Sequence, residues 1–384
     1  MLNKEKILMI KAEEILLLHA ILEKNDSAAL SYFEQWTEAV EFDNVEIGSV
    51  RLLPLLYKRM ASTSHPVPHL NKLKGIYRKA LYRNSLLFHK TFPVLAELEK
   101  MGIPVILLKG TALVAAYYED IGARPMDDVD FLVREEDLEK TLLFFDQLGW
   151  QRKYGHSINK PVKHIQGFGL LSPEGYGLDI HWRVFYQCPW DGADLELWKQ
   201  SETIDFRGLS MRILNPTLQI MHNCSHGVRW NSVSSIRWIV DVLKIMEKRA
   251  DAIDWKLLVS ESANRKLSLT MLHALRFLNS QFIAGIPDDI LNRLSALPKD
   301  PREYRLFQIL NSPPCFGNMN RRWIMHSYSM DEAPFWKKIV LFPDFLKNIW
   351  GLQARYQLPF YVLKRIWQKL AERSSACADN QRMN

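Results

Sequence analysis

Three aspartates of this chain stand in apolar runs: Asp128 and Asp130 in MDDVDFLV, and Asp179 in GLDIHW. An ionised carboxylate taken out of water needs a counter-charge, hydrogen bonds or a metal to replace its lost solvation. Successive side chains of a strand alternate faces, which sends Asp128 and Asp130 to one side and Val129 and Phe131 to the other. Two carboxylates about 7 Å apart on one strand face repel each other unless a cation lies between them. A hard divalent ion, Mg²⁺ or Mn²⁺, prefers such oxygen ligands. Asp179, between Leu178 and Ile180, supplies a third acid and completes a set able to hold two metals. Such a set stabilises both the attacking and the leaving oxygen of an in-line phosphoryl displacement. Asp127 points away from its neighbour and reads as a strand-edge or turn residue.

Upstream, LKGT supplies what a phosphate chain would need. Gly110 lets the backbone approach a ligand closely, and Thr111 is expected to open the helix ALVAAYYE, whose free N–H groups and positive dipole end suit a triphosphate. The elements that must position these residues follow from periodicity. Up to about residue 100 the apolar residues recur at three and four positions, as in AEEILLLHAILEK and SVRLLPLLYKRM, which predicts helices. GIPVILLKG, bounded by Gly102 and Gly110, reads as a buried strand. Then follow a helix, the strand DVDFLV, the helix EEDLEKTLLFFDQLGW, the turn SPEGYG and the strand LDIHWRVF. From LNPTLQI, with Asn215 as N-cap and Pro216 in the first turn, the chain is helical again. The expected class is α+β, with an N-terminal helical region over 1–95, a small mixed sheet with helices over 96–205, and a C-terminal helical domain over 206–384.

At 384 residues, with 47% hydrophobic and 24% charged residues, the composition excludes disordered and collagen-like classes. The net charge of +7 favours anionic partners. Cys188, Cys224, Cys315 and Cys377 lie far apart with no C-x-x-C pair, so no zinc ribbon or disulfide framework is indicated. The N-terminal MLNKEKILMIKAEEILLLHAILEK is interrupted by charges and reads as an amphipathic helix, not a signal peptide or span. A cytoplasmic location is expected.

The series apolar-Gly-Thr, Asp-x-Asp on a strand, then a later apolar-Asp-apolar strand resembles the nucleotidyltransferase superfold of DNA polymerase β type. LLKGTAL, YYEDIGARPMDDVDFLV, the upstream GSVRLLPLLY and the downstream IRWIVDVLKI with IDW resemble the uncharacterised bacterial nucleotidyltransferase family, over roughly residues 10–330. The resemblance implies metal-dependent transfer of a nucleoside monophosphate from an NTP, with ATP foremost, to an acceptor. It puts Gly110 and Thr111 at the triphosphate and Asp128, Asp130 and Asp179 at the metals. The superfold usually has Gly-Ser or Gly-Gly at Gly110-Thr111, a role that a threonine hydroxyl can also fill. The longer interval to Asp128 implies an extra loop, EDIGARP, beside the site, and makes Lys109 and Arg124 candidate phosphate contacts.

Other readings belong beside this one. Asp-x-Asp also occurs in nucleotide-sugar glycosyltransferases, and a silent nucleotide-binding protein could keep the fold. His222 and His226 share a helix face at i and i+4, but no further metal ligand is evident; they read as packing residues or, with Trp230, as the lining of an acceptor pocket. Arg237 and Asp241 read as an internal ion pair, with a place for Asp241 on the cleft as the alternative. The C-terminal segment interleaves aromatic residues with Lys347, Arg355, Lys364, Arg365, Lys369 and Arg373. It suits packing on the helical domain or peripheral contact with an anionic membrane. Without a long basic stripe over the core, a polynucleotide is not the expected acceptor; a small molecule or peptide with a hydroxyl or phosphate is.

Overall fold

The computed structural model describes residues 10–153, 165–190, 192–298, 300–313, 319–330, 333–365 and 367. Cys315, Cys377, Lys369, Arg373 and the first residues of the expected N-terminal helix lie outside them. Five helices precede the sheet: α1 (Ala12–Leu22), α2 (Asp26–Ala39), α3 (Ile47–Val50), α4 (Leu53–Ala61) and the long α5 (Leu70–Lys100). The next segment interleaves strands and helices: β1 (Ile106–Leu107), α6 (Lys109–Ala116), β2 (Asp128–Leu132), α7 (Leu138–Gln147), β3 (Gln151–Arg152), β4 (Gly167–Leu171), β5 (Gly177–His181), α8 (Leu195–Lys199), β6 (Ser201–Phe206) and β7 (Leu209–Leu214). Helices α9 (Pro216–Gly227), α10 (Arg237–Arg249), α11 (Trp255–Asn264), α12 (Ser268–Phe282), α13 (Asp288–Ala296), α14 (Pro301–Leu310), α15 (Met319–Ser329) and α16 (Phe335–Ile349) follow. Asn215 caps α9 as expected, its side chain accepting from the Leu218 N–H.

The class is α+β. The strands form one mixed sheet in the order β3-β4-β5-β2-β1-β7-β6. Strand β2 runs parallel to β5 and antiparallel to β1, while β1 runs parallel to β7. Strand alternation divides the core in two. Val129, Phe131 and Val133 pack with Phe88, Phe92, Leu142 and Phe145 of α5 and α7 on one face. Leu132, Ile106 and Leu214 turn to the other face and join a continuous core with the N-terminal helices and α9 to α13. The acids of β2 share the parity of Leu132, so they face the helices that come before and after the sheet. No described helix is long and apolar enough to cross a membrane. Helix α16 leaves Phe335, Trp336, Ile339 and Val340 exposed.

The loop between α6 and β2 sets where β2 begins, and it is clamped from two sides. From α5, the buried Asn84 amide donates to the carbonyl of Arg124 at 2.9 Å, and its Oδ1 accepts from the Met126 N–H at 3.1 Å. Tyr77 donates to Asp120 at 2.7 Å. From α10, Asp241 receives both arms of the Arg124 fork at 2.8 Å and the Tyr118 hydroxyl at 2.8 Å. Arg237, the expected partner of Asp241, donates to the Pro125 carbonyl at 2.8 Å instead, because the fork of Arg124 already satisfies both carboxylate oxygens. Removing one partner of a buried ion pair leaves an uncompensated charge and costs about 3 to 5 kcal/mol. Asp241→Leu should therefore lose stability on that scale, and Arg124→Met with Asp241→Leu should regain more than half of it. Urea unfolding of the two variants and the parent measures this; equal losses in single and double variants would contradict it.

Candidate active site

The site is assembled by strand register. Strands β2 and β5 pair in parallel with Asp130 opposite Asp179 and Asp128 opposite Gly177. On the far side of β5, Gly169 of β4 lies opposite Asp179. A Cβ at Gly169 would meet Lys153 Cδ at 2.5 Å and Asp179 Oδ1 at 2.9 Å, so glycine here makes room for the Lys153 side chain to pass beside the acid. His181, two residues after Asp179 on β5, falls on the same face. Its signal was available in GLDIHW, yet a single histidine on a strand reads as packing until the register aligns it with Asp130.

Asp130 is 6% exposed. Its Oδ1 lies 2.5 Å from the Lys109 ammonium and 3.1 Å from His181 Nε2. Burial alone would raise its pKa; the Lys109 charge and the His181 contact outweigh burial and hold the carboxyl well below its usual range. For Lys109, burial lowers and Asp130 raises, and the ammonium ends above its ordinary value. Burial, with Lys109 adding to it, depresses the pKa of His181. Asp128 goes the other way: burial first, then the charges of Asp130 and Asp179, push it up to about 6. One ligand atom each from Asp130, Asp179 and His181 lie within 4.8 Å of one another.

These acids open into a cleft of about 500 Å³ whose other walls are cationic, with Lys109, Arg51, Arg124, Arg229 and Arg237 among its lining. Burial lowers the pKa of Arg229, and that of Arg237 to about 10. Neither forms an ion pair among the described residues. The loop Ser232–Ser235 closes one end, and it approaches α3 where Gly48 has no side chain: a Cβ there would meet the Ser234 carbonyl at 2.5 Å.

Of the residues singled out from sequence, Asp128, Asp130, Asp179, Lys109, Gly110, Arg124 and His226 line this cleft. Arg124 is committed to Asp241, with its Nη1 turned toward Gly110. Thr111 does not open its helix, which begins at Lys109 in a left-handed turn with φ 45°. It is fully buried, away from the cleft lining, and its Oγ1 has no partner. His222 lies beneath the cleft, edge-on to His226 at 4.8 Å and to Phe185 at 6.0 Å, with neither ring nitrogen partnered. Trp230 faces two neighbouring cavities.

Two predictions follow from the electrostatics. Lys109 is the cation that compensates Asp130, so Lys109→Met should lower the unfolding temperature in EDTA, and Mn²⁺ should restore more stability to this variant than to the parent. Equal responses to Mn²⁺ in thermal melts would refute that. His222 is held neutral by burial, its pKa lowered to about 3, against about 6.5 in an unfolded chain. The unfolded state then binds more protons between these values, so stability is present above pH 6.5 and falls on acidification. At pH 5 the loss from this group is about 2 kcal/mol, and His222→Leu should lose that much less between pH 7 and pH 5 in urea titrations.

The chain belongs to the uncharacterised nucleotidyltransferase family, whose model matches residues 48–282, more than half of its length. No protein of curated function matches it. Among solved structures it is similar to an antigenic nucleotidyltransferase-like protein from Paracoccidioides brasiliensis, at 15% identity and TM-score 0.35, covering 56% of this chain and 94% of that one. It is also similar to the antibiotic-resistance factor ANT(2'')-Ia, at 17% identity and TM-score 0.32, covering 50% of this chain and 96% of that one.

Proposed function

We propose that the cleft binds a nucleoside triphosphate, ATP foremost, and that the protein transfers its nucleoside monophosphate to a hydroxyl or phosphate of a small-molecule or peptide acceptor, releasing pyrophosphate. The observation that carries this reading is the cross-strand pair Asp130–Asp179, with Asp128 on the same face, opening into a cleft whose opposite wall is cationic. The donor set suits a divalent cation: carboxylate oxygens dominate, and the ligand atoms of Asp130, Asp179 and His181 cluster within 4.8 Å. Mg²⁺ or Mn²⁺ bound there would offset the negative charge that gathers on the α-phosphate and the leaving pyrophosphate.

The chain's own residues divide the remaining work. Asp128, Asp130 and Asp179 would hold the ions. Arg229, Arg237 and Arg51 are the cations left to meet the triphosphate, since Arg124 is occupied by Asp241. Gly110 gives Arg124 and Met126 the room to pack against the start of α6. The acceptor oxygen forms a bond to the α-phosphorus, the bond from that phosphorus to the bridging oxygen breaks, and pyrophosphate leaves with the electron pair. Asp179 would take the proton of an acceptor hydroxyl.

Asp130→Asn and Asp179→Asn should each reduce pyrophosphate release on the order of a thousandfold while circular dichroism spectra stay those of the parent. The assay is release of labelled pyrophosphate from γ-labelled ATP with Mg²⁺ in the presence of a source-cell extract as acceptor pool. Near-parental turnover in either variant would overturn the assignment.

A further inference from the structure

A second cavity of about 460 Å³ adjoins the first, and Arg229 and Asn231 line both. It lies beside the end of β5, because it is lined by Gly167, which pairs across β4 and β5 with His181, the residue whose Nε2 is 3.1 Å from Asp130. A Cβ at Gly167 would meet His181 Nδ1 at 2.9 Å, so the wall next to His181 is bare backbone. The remaining lining is of two kinds. Tyr186 and Trp230 present aromatic surface, and Arg229, Arg321 and Arg322 present guanidinium groups; no carboxylate lines the cavity among the described residues.

These cations are held in place. The Arg229 guanidinium lies 6.0 Å over the Tyr186 ring, and that of Arg321 lies 5.9 Å over Trp230. Arg321 donates to the carbonyls of Ile309, Leu310 and Ser312 at the end of α14. That contact is a helix cap and accounts for Arg321 structurally; it does not account for three guanidinium groups meeting in one cavity. Neither Arg229 nor Arg321 forms an ion pair among the described residues, and burial lowers the pKa of both. Gln166 lines the same cavity, its buried Oε1 without a partner among the described residues and open to a donor such as a hydroxyl.

We propose that this second cavity is the acceptor subsite, and that it takes a small hydroxyl-bearing molecule carrying a phosphate or carboxylate. The assignment rests on the nucleotidyl-transfer reading above and deepens it. The nucleotide cleft and the acceptor cavity then meet at Arg229 and Asn231, which line both. Guanidinium forks match phosphate and carboxylate geometry, and the same charges exclude a cationic amine.

The test uses the full chain with Mg²⁺ and α,β-methylene ATP, which fills the nucleotide cleft without turnover. Phenyl phosphate, benzyl alcohol and benzylamine, three ligands of similar shape and different charge, are titrated calorimetrically. Phenyl phosphate should bind at least about tenfold more tightly than the other two. Arg322→Gln should weaken it about tenfold and leave the affinity for α,β-methylene ATP unchanged, while Arg322→Lys should retain most of the binding. On the parent protein, phenyl phosphate should also protect Arg229 and Arg322 from modification by phenylglyoxal, read by peptide mass spectrometry, so the test does not depend on a variant that folds. No binding of phenyl phosphate, equal binding of benzylamine, or no protection overturns the proposal. Failure of α,β-methylene ATP to bind overturns the nucleotidyl-transfer reading instead, and a separate titration without nucleotide keeps the two failures apart.

Discussion

The structure is organised around the electrostatic cost of three carboxylates on one face of two adjacent parallel strands. The register that puts Asp130 opposite Asp179 also makes them repel, and the surrounding sequence answers that repulsion locally. Lys109, at the turn between β1 and α6, brings an ammonium to Asp130. Its left-handed backbone, unusual for a residue other than glycine, costs about 1 to 3 kcal/mol, which the ion pair offsets. Among the described residues Asp128 has no such close partner, its nearest cation being Lys153 at 3.7 Å, and burial followed by the charges of Asp130 and Asp179 raises its pKa. The acids are thus unequal before any ligand arrives: one is fully compensated, one is not.

A second constraint follows from the first. Acids at the beginning of β2 hold their position only if the loop before β2 is rigid, and that loop contains none of the regular hydrogen bonds of a helix or ladder. Its fixed geometry comes from side chains of distant helices, Asn84 from α5 and Asp241 from α10. The same helices bury the acid face, since the N-terminal helices, one face of the sheet and α9 to α13 share one apolar core. Glycine is required where these layers meet most closely: at Gly227 a Cβ would fall 1.9 Å from the Trp238 ring. The helical parts that flank the sheet in sequence therefore act as one roof over the site, and Arg229 and Arg237 reach the cleft from that roof.

How much of this is legible in the sequence depends on the range of the interaction involved. The two-residue period of a strand puts Asp128 and Asp130 on one face and singles out Asp179, because alternation is a local rule. Pro216 after Asn215 marks the start of α9 for the same reason. The hairpin of β6 and β7 is local too, and was readable: SETIDF and LSMRIL flank Arg207-Gly208, both with positive φ, which is the two-residue turn that hairpins favour. It escapes notice because its alternation carries polar residues outward and lies next to a helical stretch. Arg124 shows the opposite case. Its sequence neighbours suggest a ligand contact, and its actual partner is 117 residues away; nothing in the local pattern carries that information. His181 and the burial of Thr111 likewise become visible only once strand register and the helix start at Lys109 are known.

The distribution of charge over the two cavities bears on what a catalytic cycle must accomplish. A carboxylate line repels phosphate, so an anionic substrate reaches it only if cations surround the acids or accompany the substrate. Both are provided for here: the donor set suits a divalent ion, and the walls carry Arg229 and Arg237, which form no ion pair among the described residues. Desolvated cations of this kind are unfavourable in the absence of a ligand, which is the state their depressed pKa values describe. Binding an anion removes that penalty, so part of the binding free energy is stored in the unliganded protein. Arg229 belongs to both cavities, and an anion in either one changes the environment that the other presents. On the proposed reading, Arg229 is the side chain through which occupancy of one side would bear on the other.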